Sequence, residues 1–289
     1  MRYEGSIYRP PSEANSLIVQ LTIGCARNTC TFCSMYKDKN FRVRDLAEVI
    51  EDFKIARKYY PSGVKRIFLA DGDALIVKTE DLLYILNTAK EIFPEVERIS
   101  AYAAPKDILT KTPSELKKLK HAGLDMLYVG LESGDDIILK NVKKGVSSSE
   151  MIVAGKKIKD ANILLSMTLI SGLGGKERLI EHAINSAKVV SEIKPDFLGF
   201  LTLMIDKNVP IYKEIESKKL NLLSPTDVLE EMRLFINTVD SEGTIFRSNH
   251  ASNYVPLAGT LNKDKHKILE TIDFVDKNNK FKPEHYRGL

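Results

Sequence analysis

Apolar and polar positions along this chain follow two alternating rhythms. Residues 17–23 carry Leu17, Ile18, Val19, Leu21 and Ile23 almost without interruption, the pattern of a strand buried on both faces. From Leu46 the period lengthens. Leu46, Val49, Ile50, Phe53 and Ala56 share one face with charges between them, which predicts a helix closed by Pro61 and Gly63. The alternation then repeats. Strands are expected at 66–70, 98–103, 125–131, 163–170 and 197–204, and helices at 79–92, 113–121, 135–142, 149–161 and 176–193. Pro113 opens one of these helices and Gly123 stops it. Beyond them the pattern predicts a helix at 226–241, a possible short strand at 244–247, a polar loop at 250–260 and a helix at 262–277.

Parallel strands need helical crossovers of this length between them. Strand–helix units with apolar strands point to an α/β fold, a partial, open (β/α)6 barrel of TIM type. The C-terminal part reads as an α-helical extension with a possible short extra strand. A doubly wound sheet is the structural alternative. No shift in composition resembles a linker, so residues 1–289 are expected to form a single domain, with the barrel core at about 15–205 and the extension at about 206–289 covering it.

Composition changes this picture little. The 289 residues are 43% hydrophobic and 28% charged with a net charge of +4, which is ordinary for a globular protein. Lys117, Lys118 and Lys120, and Lys156 and Lys157, sit among acids at helical spacing and read as solvated helix faces, so no nucleic-acid partner is expected. The first residues lack the apolar stretch of a secretion signal, and the apolar runs at 163–173 and 197–205 are too short to span a bilayer. No membrane association is expected. An odd number of cysteines, all clustered, argues against a disulfide framework and for a reduced, cytoplasmic setting.

The cysteines are the distinctive feature. Cys25, Cys30 and Cys33 fall within nine residues directly after the first expected strand, and the rest of the chain has none. Asp71-Gly72-Asp73, Glu132-Ser133-Gly134 and the segment 171–175 also follow expected strands. In an α/β barrel the C-terminal strand ends meet at one mouth, where active sites are built. Thiolates are soft ligands suited to iron–sulfur clusters, zinc or copper(I). A closed ferredoxin-type site would need a fourth cysteine. Structural zinc would need one of the histidines, all remote in sequence, to fold back. Three thiolates on a [4Fe–4S] cluster leave one iron open. Plain buried or reactive cysteines, a zinc-stabilised binding module and an iron–sulfur electron carrier stay as alternatives at this point.

The spacing Cys25-x4-Cys30-x2-Cys33, with Phe32 just before the third cysteine, resembles the radical S-adenosylmethionine (radical SAM) superfamily. The commoner spacing there has one residue fewer between the first two cysteines, which leaves the subfamily unassigned. The resemblance implies that Cys25, Cys30 and Cys33 hold a [4Fe–4S] cluster. S-Adenosylmethionine would chelate the open iron and be cleaved to a 5′-deoxyadenosyl radical that abstracts hydrogen from a small-molecule substrate. It also implies a flavodoxin- or ferredoxin-type electron donor.

By the same resemblance Asp73 is the candidate contact for the methionine amino group, standing where the family commonly has glutamate. Glu132 is the candidate polar contact for the ribose or methionine moiety, Lys143 or Lys144 for its carboxylate, and Gly172 for close approach to the adenine. The blander readings are that Asp71 or Asp73 caps a turn, that Glu132 makes a rim salt bridge, and that the lysines are ordinary surface residues. His250 and Tyr254, in a polar stretch that includes Asn253, are weak candidates for catalytic contacts to substrate. Tyr36 and Arg42 are weaker still. With no further cysteines and no separate region evident, neither an all-thiolate auxiliary cluster nor a cobalamin domain is expected.

Overall fold

The computed structural model describes residues 1–288. Its contacts gather into two compact units. The first comprises Met1–Asn28, Met35–Val129 and Lys156–Leu165; the second comprises Thr29–Ser34, Gly130–Gly155 and the chain from Ser166 onward. The divisions fall inside regular elements and inside the cysteine loop, not at linkers. Composition therefore carries no mark of them.

The elements in chain order begin with β1 (Leu17–Gln20), β2 (Thr22–Ile23), β3 (Arg42–Val43), α1 (Leu46–Tyr59), β4 (Arg66–Ala70) and α2 (Thr79–Ile92). β5 (Arg98–Tyr102), α3 (Pro105–Thr110), α4 (Pro113–Ala122) and β6 (Leu124–Glu132) follow. After them come α5 (Asp136–Asn141), α6 (Ser148–Asp160), β7 (Leu164–Ser171), α7 (Leu179–Ile193) and β8 (Phe197–Thr202). The C-terminal part holds α8 (Ile211–Glu216), α9 (Pro225–Thr238), β9 (Ile245–Arg247), β10 (Ala258–Thr260) and α10 (Lys265–Asn278). The class is α/β with a mostly parallel sheet, as the sequence predicts.

In the first unit the strand order is β1-β4-β5-β6, each pair parallel. Val19, Ile67, Phe68, Leu69 and Ile99 are buried, which accounts for the unbroken apolar runs. Asp45 caps α1 by accepting the Ala47 N–H, and Val49, Ile50, Phe53 and Ala56 are buried along one face. Thr112 and Glu115 form a reciprocal capping box at the start of α4, and Gly123, at φ +108°, ends it.

In the second unit the order is β7-β8-β9-β10, parallel except for the last pair. A Ser224–Asp227 capping box and Pro225 start α9, whose Val228, Leu229, Met232, Phe235 and Ile236 are buried.

Three expectations need correction. The strand expected at 17–23 is two strands. Leu21 donates its N–H to the Ala70 carbonyl at 2.6 Å and accepts from Arg44 N–H at 3.1 Å, so the chain changes partner there. Thr22 and Ile23 then pair antiparallel with Val43 and Arg42, a hairpin base the pattern did not reveal. The helix expected from 176 starts with a 3-10 turn, and α7 proper begins at Leu179. The polar loop expected to 260 ends in β10.

Candidate active site

In the first unit the hairpin of β2 and β3 closes the base of the loop that carries Cys25. Gly24 follows β2, and its N–H donates to Asp71 Oδ2 at 3.0 Å. The same oxygen accepts from Gln20 Nε2 at 3.2 Å and from Lys39 Nζ at 2.8 Å. Asp71 and Lys39 are both almost fully buried, and Lys39 donates further to the Ser6 carbonyl at 2.6 Å. A buried carboxylate persists when a cation and several donors meet it, as here. Asp71 therefore fastens the cysteine loop to the end of β4.

The next residue completes the fastening. Gly72 donates its N–H to the Gly24 carbonyl at 3.1 Å. A Cβ at this position would lie 2.8 Å from Cys25 Cβ and 2.8 Å from Tyr36 Cε2. Only glycine lets the backbone come this close. Tyr36 is buried edge-on to Tyr8, with ring centroids 5.5 Å apart, whereas Arg42 is half-exposed and pairs with Glu4.

Asp73 has a different environment from Asp71. It is fully buried, and its Oδ1 accepts the Ala104 N–H at 3.1 Å. Its Oδ2 is buried without a hydrogen-bond partner, and so is Oδ2 of Asp107 on α3. Burial raises the Asp73 pKa, and the neighbouring Asp107 carboxyl raises it further, to about 8; the Ala104 N–H and Arg27 pull the other way. A buried carboxyl group with an unpartnered oxygen can accept an incoming ammonium group. The donor set thus fits the amino end of S-adenosylmethionine.

The second unit carries Cys30 and Cys33. Thr31 between them is tied on both sides, donating its N–H to the Val142 carbonyl and accepting from Ile211 N–H, each at 3.0 Å. Phe32 packs onto a cluster of Ile138, Val142, Leu173, Val209 and Ile211. Cys30 Sγ lies 4.0 Å from the Lys143 carbonyl. None of the three cysteines is in a disulfide, and all are partly buried.

Glu132 and Lys144, two residues singled out by resemblance, meet in an ion pair at 2.7 Å with both side chains largely buried. Glu132 has φ +63°, and Ser133 N–H donates across it to the Leu131 carbonyl at 2.8 Å. This is a γ-turn, a strained conformation for a residue with a side chain. Gly172, at φ +82°, turns the chain after β7, and its N–H donates to both oxygens of Glu231, at 3.1 and 3.3 Å.

His250 is half-buried. Its Nδ1 accepts the Ser252 N–H at 3.1 Å, which leaves the ring proton on Nε2. Burial and then Lys282 lower its pKa, so the ring is neutral at pH 7. Asn253 bridges Thr202 Oγ1 and the Phe200 carbonyl. The Tyr254 hydroxyl is taken up by Glu284 and Arg287, and the Arg287 guanidinium lies 4.0 Å over its ring.

Among the described residues no group of three or more His, Cys, Asp or Glu side chains is gathered as for one metal ion. A cubane cluster asks for another arrangement, each thiolate on a different iron.

The family model that matches this chain is the radical SAM superfamily, over residues 19–186. The chain belongs to the radical SAM superfamily. A [4Fe–4S] cluster and S-adenosylmethionine are accordingly its cofactors. Among relatives, a Methanocaldococcus jannaschii protein named as a candidate methylthiotransferase is 27% identical over 156 residues, which are 51% of this chain and 33% of that one.

Solved structures agree in fold. Coproporphyrinogen III oxidase (HemN) from Escherichia coli, described as a radical SAM enzyme, matches with a TM-score of 0.59 at 18% identity, covering 77% of this chain and 52% of that one. The radical S-adenosylmethionine methyltransferase TsrM from Kitasatospora setae, solved with cobalamin and a [4Fe–4S] cluster, matches with a TM-score of 0.57 at 17% identity, covering 70% and 39%. The chain spans a third to about half of the length of the first curated relatives it matches. Among the described residues no helix is long and apolar enough to cross a membrane.

Proposed function

We propose that Cys25, Cys30 and Cys33 hold the [4Fe–4S] cluster, and that S-adenosylmethionine binds the remaining iron. When bound, the reduced cluster and S-adenosylmethionine supply a 5′-deoxyadenosyl radical that abstracts hydrogen from a small-molecule substrate. The observation that carries the reading is the approach of Gly72 to Cys25, with the unsatisfied Asp73 oxygen one residue further on. A loop held against a cluster ligand is well placed to present a carboxylate to a ligand of that cluster.

The other roles are those the family resemblance implies, and the charges of these residues suit them. Asp73 accepts the ammonium of the methionine moiety. Lys144 balances its carboxylate, and Glu132 accepts from ribose hydroxyls at the strained turn. Gly172 offers backbone to the adenine, and Phe32 supplies an apolar wall that excludes water. His250, neutral with its proton on Nε2, can donate a hydrogen bond to substrate, while Tyr254 acts through the segment it anchors. A flavodoxin- or ferredoxin-type protein supplies the electron, in the cytoplasm.

The test is anaerobic reconstitution with iron and sulfide, reduction, and addition of S-adenosylmethionine. Formation of 5′-deoxyadenosine that is lost in Cys30→Ala supports the reading. A fully loaded cluster that yields no 5′-deoxyadenosine with any reductant counts against it.

A further inference from the structure

A buried polar chain crosses the second unit beneath the two turns assigned to cofactor contacts. It begins at Ser133, directly after the strained Glu132. Ser133 Oγ accepts the Asp135 N–H at 3.0 Å and lies 2.8 Å from His182 Nδ1 on α7. On the other side of the ring, His182 Nε2 faces two acceptors, the Ile170 carbonyl at 3.1 Å and Glu231 Oε1 at 3.8 Å. With acceptors on that side, the ring proton sits on Nε2, and Ser133 donates its hydroxyl proton to Nδ1. Glu231, on α9, ends the chain by accepting the Gly172 N–H.

Ser133, His182 and Glu231 are each at most 1% exposed, so none of them can touch a substrate. Their arrangement superficially matches a hydrolytic triad. Full burial of the serine rules that chemistry out, because no acyl group could reach its oxygen.

What the chain does touch is informative. At one end it holds the residue after Glu132, whose backbone is in the left-handed region; at the other it holds Gly172 in the same region. The Glu132 conformation persists only where the surroundings over-determine it, whereas Gly172 turns freely and needs its N–H paired. A buried carboxyl group is costly to desolvate, and Glu231 lies on the helix whose Val228, Met232 and Phe235 are buried. Its oxygens capture an N–H that the turn at Gly172 would otherwise leave unpaired, and Oε1 also faces His182 Nε2. The matched family region ends at residue 186, so this anchor comes from the chain's own C-terminal segment.

We propose that Ser133, His182 and Glu231 are positioning residues that preset the Glu132 and Gly172 turns for S-adenosylmethionine, with α9 supplying the anchor. This rests on the assignment of those turns to the cofactor. Preset turns lower the ordering cost of binding, so loss of the chain weakens affinity without removing any direct contact.

The test compares wild type, Glu231→Ala, Glu231→Gln and Ser133→Ala, each reconstituted anaerobically and checked for iron content. Equilibrium binding of S-adenosylmethionine is measured, together with amide hydrogen exchange of the 130–136 segment in protein without S-adenosylmethionine. Glu231→Ala is expected to weaken binding about tenfold, as for an orphaned buried donor, with iron content unchanged. It should also raise exchange at 130–136, which Glu231 does not bond. Glu231→Gln keeps an acceptor for Gly172 and should restore most of the affinity, and Ser133→Ala should weaken it in the same direction.

Unchanged affinity and exchange in Glu231→Ala, or a fall in thermal midpoint alone, overturns the proposal. If Glu231→Ala does not fold, Ser133→Ala decides, and wild-type affinity there overturns it. A wild type that binds no S-adenosylmethionine removes the assignment of the turns themselves. Normal wild-type binding with unaffected variants removes only the positioning role.

Discussion

A Cβ at position 72 would lie 2.8 Å from Cys25 Cβ, so the loop after β4 and the first cysteine fit together only while residue 72 is glycine. Gly72→Val should cost about 2–3 kcal/mol through overpacking. Because the strain falls on Cys25, iron per reconstituted protein should drop more than the denaturation midpoint implies. Iron analysis beside a urea titration checks this. Full iron content in a destabilised Gly72→Val would show that the contact is merely structural.

Asp73 makes stability depend on pH. The Asp73 pKa is raised to about 8 in the fold, so the native state binds a proton that the unfolded chain has already released. Stability is therefore fully present at low pH and falls as pH rises between about 4 and 8, with a slope of at most ~1.4 kcal/mol per pH unit. Asp73→Asn should flatten this slope. Urea midpoints at pH 5, 6, 7 and 8, in wild type and variant, measure it.

Lys39 and Asp71 make a buried pair whose disruption leaves a charge uncompensated. Lys39→Met should cost about 3–5 kcal/mol. Lys39→Met, Asp71→Asn removes both charges and should recover part of that loss. A double variant no more stable than the single would mean that the coupling lies elsewhere.

Lys144 and Glu132 are paired at 2.7 Å, and the proposed contacts would recruit both. Lys144→Ala should weaken S-adenosylmethionine binding about thirtyfold or more, as loss of one partner of a largely buried charge pair does. Lys143→Ala, whose side chain is proposed for no such pair, should change it far less. Equal losses in both would point to general surface charge.

Much of the scaffold was legible because it is written locally. Six expected strands are present, since β-branched apolar runs such as those around Val19 and Phe68 specify burial without reference to partners. The split at Leu21 was not legible. Leu21 is fully buried, and its change of backbone partner from Ala70 to Arg44 leaves no trace in side-chain pattern. Asp71 and Asp73 are the same residue two positions apart, each with one unpartnered buried oxygen, and only the fold shows that Asp71 meets Lys39 and Gly24 while Asp73 faces Asp107.

The partners of these sites were hidden by sequence distance. Asp107 lies on a later helix, and Glu231 lies 59 residues from the Gly172 it holds. A signal for Glu231 did exist: it sits on the apolar face of α9 among Val228, Met232 and Phe235, where a charge needs a reason. His182, buried on α7, is a similar case.

The most direct measurement is electron paramagnetic resonance of the reduced, reconstituted protein with and without S-adenosylmethionine. The account predicts a [4Fe–4S] signal whose shape changes when S-adenosylmethionine enters the iron that Cys25, Cys30 and Cys33 leave open. Identical spectra at saturating S-adenosylmethionine would contradict it.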